Sequence, residues 1–134
     1  RDEAGRPYIS HPMAVLRSVA QELPNDVDAQ VAAVLHDVIE DSIVNEKELR
    51  VSGISQRAIS LVQAVSRGEH ESYEDFIDRV AKAEPAAIII KLADLEHNLS
   101  RITNLSVKKR DKLQPRYMAA REKLIKALGL HIAY

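Results

Sequence analysis

Apolar residues in this chain return every three or four positions over almost its whole length, and no stretch alternates with period two for long enough to make a strand. Only four of the 134 residues are glycine, so little interrupts the helical period. Pro12 stands where a first helical position belongs, with Met13, Leu16, Val19 and Ala20 on one stripe after it. Leu23-Pro24-Asn25 ends that helix. Asp26 or Asp28 can cap a second helix, whose stripe is Val31, Val34, Leu35 and Val38. A short turn is expected at residues 46–49. Ser55 then caps a third long helix carrying Ile59, Val62 and Val65. Ser72 and Asp75 have capping-box spacing and open a helix through Phe76, Ile77 and Val80. Pro85 starts the most apolar segment, which runs to about Leu99, and a last helix spans residues 108–128 with Gly129 as its stop. The expectation is an all-α helical bundle forming one domain over residues 1–134.

With no cysteine, neither a disulfide framework nor a thiolate metal site can form, which fits a reducing, cytoplasmic setting. No apolar run approaches the length of a membrane span. The formal net charge is -1, and Lys108-Lys109-Arg110 is the one basic cluster. Aromatic residues make up 4% of the chain, with no tryptophan, so platforms for stacking bases are scarce. These features argue against a polymeric nucleic acid and against a membrane as partners. They leave the oligomeric state open.

Three short stretches carry ionisable groups where apolar runs end. His36-Asp37 follows Val31-Ala-Ala-Val-Leu35, and Glu40 and Asp41 lie four positions beyond each, one turn further along the same faces. A His-Asp pair alone is weak, since it arises by chance in roughly one chain in ten of this length. It gains weight at the end of a helix that should be buried, where charge is costly unless paired or metal-bound. Asp94 ends a second such run, with seven apolar residues in the nine positions 85–93, and Asn98 sits one turn beyond it. His11 precedes Pro12 at the mouth of the first helix. Each of these has an ordinary structural explanation, but all three must then hold at once. Together His11, His36, Asp37 and Asp94 make a mixed nitrogen and oxygen donor set. Such a set suits manganese, iron or zinc better than calcium or magnesium. It has room for water and a phosphate oxygen, as a catalytic metal site requires.

The ordered pattern of His11, His36-Asp37-x-x-Glu40-Asp41 and Lys91-Leu-Ala-Asp94-x-x-His97-Asn98 resembles the hydrolase domain of the RelA/SpoT enzymes and their small stand-alone relatives, an HD-domain helical bundle. Gly5-Arg-Pro7-Tyr8-Ile9-Ser-His11-Pro12 matches that family's Gly-x-Pro-Tyr-Ile-x-His-Pro motif, and Glu71-Ser-Tyr-Glu-Asp75 is similar to the stand-alone members. The resemblance implies a Mn2+-dependent hydrolase that removes pyrophosphate from guanosine tetra- and pentaphosphate. It implies His11, His36, Asp37 and Asp94 as metal ligands. Glu40 and Asp41 would orient and activate water, and Asn98 would contact the nucleotide. Arg101 is the first candidate to hold the leaving pyrophosphate, seven residues after Asp94, with Lys91 and Arg67 behind it.

The chain departs from the family at three points. Asp2 and Glu3 stand where the alarmone hydrolases carry an Arg-Lys pair that helps hold guanine, and an acidic pair cannot supply cation stacking. Arg101 stands where the long enzymes usually carry Thr. The family's first helix, which precedes the Gly-x-Pro-Tyr motif, is missing from the sequence as given, so the chain is either a fragment or numbered from after that helix. The alternatives are hydrolysis of another nucleotide (NADPH, a deoxynucleotide or a cyclic nucleotide) or a non-catalytic nucleotide-binding module. Glu40 and Asp41 argue against the last, because a pure binder needs no general base.

Overall fold

The computed structural model describes the backbone of residues 10–41 and 46–133, with side chains described for residues 10–36 and 47–131. Among the described residues there are seven α-helices and no strand: α1 (Ser10–Glu22), α2 (Val27–Asp41), α3 (Glu46–Val51), α4 (Gln56–Ala64), α5 (Tyr73–Ala81), α6 (Pro85–Ser100) and α7 (Val107–Ala133). A 3-10 turn, Ile102–Asn104, joins the last two. The expected all-α class is what forms.

Most helix starts are set by the side chains the sequence places there. Ser55 Oγ accepts the Ala58 N–H at 3.1 Å, and Ser72 Oγ accepts the Asp75 N–H at 3.0 Å. The choice left open at α2 falls to Asp26, whose Oδ1 accepts the Ala29 N–H at 3.0 Å. Asp28 instead accepts the Ser55 hydroxyl at 2.7 Å, linking the first turns of α2 and α4. Arg57 bridges Asp26 and Glu84 at 2.6 and 2.7 Å, which ties the starts of α2 and α6 together. Arg79 of α5 donates to the carbonyls of Ala64 and Ser66 at 3.1 and 2.7 Å, satisfying acceptors that the end of α4 leaves over.

Four helix readings need correction. The first helix begins at Ser10, ahead of Pro12, and buries His11, Pro12, Val15 and Val19. Of the expected stripe only Val19 is buried, and Met13 is exposed. On α2 the buried face is Ala29, Ala32, Ala33 and His36, with Val31, Val34 and Leu35 half-buried at its edge. That helix packs against α1, α4 and α6, so its centre takes the small residues that let backbones approach and its rim takes the branched ones. Val38 lies outside the described side chains. The third long helix is nine residues, α4, with Val65 as its C-cap. The last helix continues through Gly129 to Ala133. A mid-helix glycine costs only about 1 kcal/mol, too little to end a helix of this length. Among the described residues the one with positive φ is Gly53, at φ 90°, just after α3.

The apolar residues form two cores that share α6. One gathers Val15 and Val19, the α2 alanines, Leu61 and Val62 against Ala87, Ile90 and Ala93. The other packs Phe76, Ile77, Val80, Ala120 and Leu124 against Ile88 and Leu95. Being covered on both sides explains why α6 is apolar nearly all round. It also brings Asp94, near its C-terminal end, against α1 and α2.

Candidate metal centre

Three of the expected metal ligands meet between three helices. His11 in the first turn of α1, His36 in the second half of α2 and Asp94 of α6 are 8%, 3% and 5% exposed. Each offers a donor atom within 4.8 Å of the others. Asp94 Oδ1 lies 2.7 Å from His11 Nε2 and 3.4 Å from His36 Nε2. The packing that creates this convergence is the alanine face of α2, which lets His36 reach inward between α1 and α6.

The tautomer of His36 follows from its other nitrogen. Nδ1 lies 2.7 Å from the Ala33 carbonyl, which can only accept, so Nδ1 carries the hydrogen and the Nε2 lone pair faces Asp94. A metal-binding histidine needs this arrangement. The other oxygen of Asp94, Oδ2, accepts the Lys91 ammonium at 2.7 Å. Burial alone would raise the Asp94 carboxyl. The Lys91 charge, with the hydrogen bond from His11, outweighs it and holds the carboxyl well below its usual range. Asp94 is therefore an anion in a dry setting, with two imidazoles aimed at one of its oxygens. Two neutral nitrogen donors and one carboxylate in close reach fit a first-row divalent ion.

The backbone of α2 continues through Asp37, Glu40 and Asp41 to its end, so all three stand on the helix that carries His36. Their side chains lie outside the described residues, as do Asp2, Glu3 and the Gly5–Ile9 motif. Asn98 and Arg101 are near neighbours: an Arg101 Nη2 hydrogen donates to Asn98 Oδ1 at 3.2 Å. The helix does not persist to Arg101, which is its C-cap, so the two-turn spacing from Asp94 holds only to Ser100. Arg67 donates Nε to the Glu71 carbonyl at 2.8 Å and lies over the Tyr73 ring. Lys91, a secondary candidate for holding pyrophosphate, is engaged by Asp94 and lies 5.0 Å from the Phe76 ring centre.

Sequence reasoning gave no role to three residues beside the cluster. His97 Nδ1 lies 2.6 Å from His11 Nδ1, with the ring centres 4.9 Å apart and the ring planes 24° from parallel. Its spacing of three from Asp94 on α6 was the available signal. Tyr73 and Tyr117, from α5 and α7, are half-buried. Burial pushes both hydroxyls up, and the fields of Asp94 and Lys91 reach both. Nothing in their local sequence points them at the cluster, because the contact depends on how α5 and α7 close over α6.

A profile of the HD domain family matches residues 1–120. The chain belongs to the HD-domain family. This HD domain is 32% identical over 120 residues to the guanosine-3′,5′-bis(diphosphate) 3′-pyrophosphohydrolase of Haemophilus influenzae, covering 82% of this chain and 17% of that protein. It is 31% identical over 140 residues to the bifunctional (p)ppGpp synthase/hydrolase SpoT of Escherichia coli, covering 96% of this chain and 19% of that one. It thus spans less than a fifth of the length of these curated relatives. Among solved structures it matches one described as a metazoan ortholog of SpoT that hydrolyzes ppGpp, with a TM-score of 0.73 and 26% identity over 91% of this chain and 71% of that one. A Listeria monocytogenes protein shares the fold at a TM-score of 0.69 and 24% identity, over 92% of this chain and 83% of that chain. The resemblance read from the motifs is borne out. No helix among the described residues is long and apolar enough to cross a membrane.

Proposed function

We propose that this HD domain is a metal-dependent phosphohydrolase that removes the 3′-pyrophosphate of guanosine tetra- and pentaphosphate. The observation that carries the reading is the convergence of His11, His36 and Asp94 from three helices, with donor atoms within 4.8 Å of one another. In this reading Asp37 completes the ligand set beside His36, and Mn2+ is the ion that the nitrogen and oxygen donors take. Such an ion, when bound, polarises a phosphate oxygen and makes water a better nucleophile near neutral pH. Relatives named for this reaction support the substrate class. A cytoplasmic setting belongs to the same reading.

The chain's own groups divide the remaining work. Glu40 and Asp41, on the turn of α2 beyond His36 and Asp37, orient a water and take its proton. The water oxygen attacks the phosphorus bonded to the ribose O3′, the O3′–P bond breaks, and O3′ takes up a proton as pyrophosphate is released. Asn98 contacts the nucleotide, and Arg101, held against Asn98, offers a cation to the pyrophosphate.

A second reading, an HD phosphohydrolase of another nucleotide, is favoured by Asp2 and Glu3 in place of the family's Arg-Lys pair. One assay separates the two: release of pyrophosphate from guanosine tetraphosphate by Mn2+-loaded protein, with NADPH and a deoxynucleoside monophosphate run in parallel for phosphate. Mn2+-dependent pyrophosphate release is the expected result. Phosphate from a parallel substrate, with none of the alarmone turned over, would move the function to the second reading.

A further inference from the structure

The two histidines of the cluster are held by different kinds of partner. His36 Nδ1 faces a backbone carbonyl, which accepts and never donates, so its tautomer is fixed. His11 Nδ1 faces the Nδ1 of a second imidazole, His97, at 2.6 Å. An imidazole nitrogen can serve in either sense, depending on which of its two nitrogens carries hydrogen. His97 belongs to neither the donor cluster nor the nucleotide contacts inferred above: it meets the Nδ1 of His11, while the Nε2 of His11 faces Asp94.

The versatility matters because His11 must change roles. Its Nε2 lies 2.7 Å from the ionised Asp94 Oδ1, a contact that needs a hydrogen on Nε2. In that tautomer the His11 Nδ1 is a lone pair, and the short gap to His97 is bridged by a hydrogen from His97. To ligate an ion through Nε2, His11 must present a lone pair there and carry its hydrogen on Nδ1. His97 then has to accept. A carbonyl or carboxylate opposite Nδ1 would stabilise only the second arrangement, and an ammonium only the first.

We propose that His97 is a positioning residue for metal binding: it partners His11 Nδ1 in both tautomers and fixes the His11 ring with Nε2 aimed at the ion. The inference rests on the metal-centre reading and adds a residue to it. Partners of this kind are worth about 10- to 100-fold in metal affinity.

The test is Mn2+ affinity of the purified full chain by titration calorimetry, with thermal unfolding in chelator as a check on folding. His97→Ala should bind Mn2+ about 10- to 100-fold more weakly, and without metal it should still unfold cooperatively, at a temperature lowered by the loss of the His97–His11 hydrogen bond. His97→Asn should recover most of the loss, because an amide places either a donor or an acceptor near the position of Nδ1. A role limited to filling space would not be rescued by the shorter, polar Asn. Wild-type affinity in His97→Ala, or Asn as weak as Ala, overturns the proposal. If wild type binds Mn2+ and Asp94→Asn does not, while His97→Ala binds normally, the inference alone fails. If wild type binds no Mn2+, the metal-centre reading fails and takes the inference with it.

Discussion

Lys91 and Asp94 stand three residues apart on α6, with Nζ 2.7 Å from Oδ2, and this pairing keeps a buried carboxylate charged while its other oxygen faces two histidines. Removing one member of a buried pair leaves the other without compensation, which is typically more costly than the pair is favourable. Lys91→Met keeps the aliphatic stem beside Phe76 and deletes the charge. It should destabilise the metal-free protein by about 3 kcal/mol, read by urea unfolding in the presence of chelator. A loss below about 0.5 kcal/mol, the range of exposed pairs, would mean the histidines alone hold Asp94.

The cluster could be read from the sequence because each proposed ligand stands where an apolar helix meets polar residues, and because the family pattern fixes their order. The phase of the helices was harder to read. On α2 the valines and leucine suggested the inward face, yet Ala29, Ala32 and Ala33 occupy it. Hydrophobicity counts branched residues as the stronger core signal, whereas a helix enclosed by three neighbours needs small side chains at its closest contacts. Tyr73 and Tyr117 were out of reach for a related reason: their proximity to the cluster is set by packing across elements rather than by spacing within one, whereas His97 stands three residues from Asp94 on the same helix.

Ala33 makes that difference testable. It is fully buried among α1, α4 and α6, and its carbonyl orients His36. Ala33→Leu should cost about 1–3 kcal/mol by overpacking and should also weaken Mn2+ binding, because the backbone that holds His36 has to move. Chemical denaturation and calorimetry on the same variant report the two effects. Tolerance on both would place the leucine in space that the packing does not show.

Acid stability should depend on Glu71. Hydrogen bonds from Arg79 and the Gly68 N–H hold its carboxyl at about 2, against an ordinary value of 4.5. The folded state thus prefers the ionised form, so the contribution is complete above pH 4.5 and is lost as pH falls from there through 2. Glu71→Gln should flatten the fall in melting temperature over that window and change little at pH 7 relative to pH 5. An unchanged acid limb would show that Arg79 is held by the α4 carbonyls alone.

In the proposed mechanism Glu40 separates binding from chemistry. Glu40→Gln should retain Mn2+ with near wild-type affinity and lose turnover by roughly 100- to 10,000-fold, the usual scale for a general base. Steady-state pyrophosphate release beside a calorimetric titration gives both numbers. Undiminished turnover would transfer the proton-accepting role to Asp41.

The most direct measurement is Mn2+ stoichiometry and affinity for wild type, His36→Gln and Asp94→Asn by titration calorimetry. One ion per wild-type chain, with binding lost in Asp94→Asn and sharply weakened in His36→Gln, is the expected result. Binding that survives both changes would place the ion elsewhere and contradict the metal centre built from α1, α2 and α6.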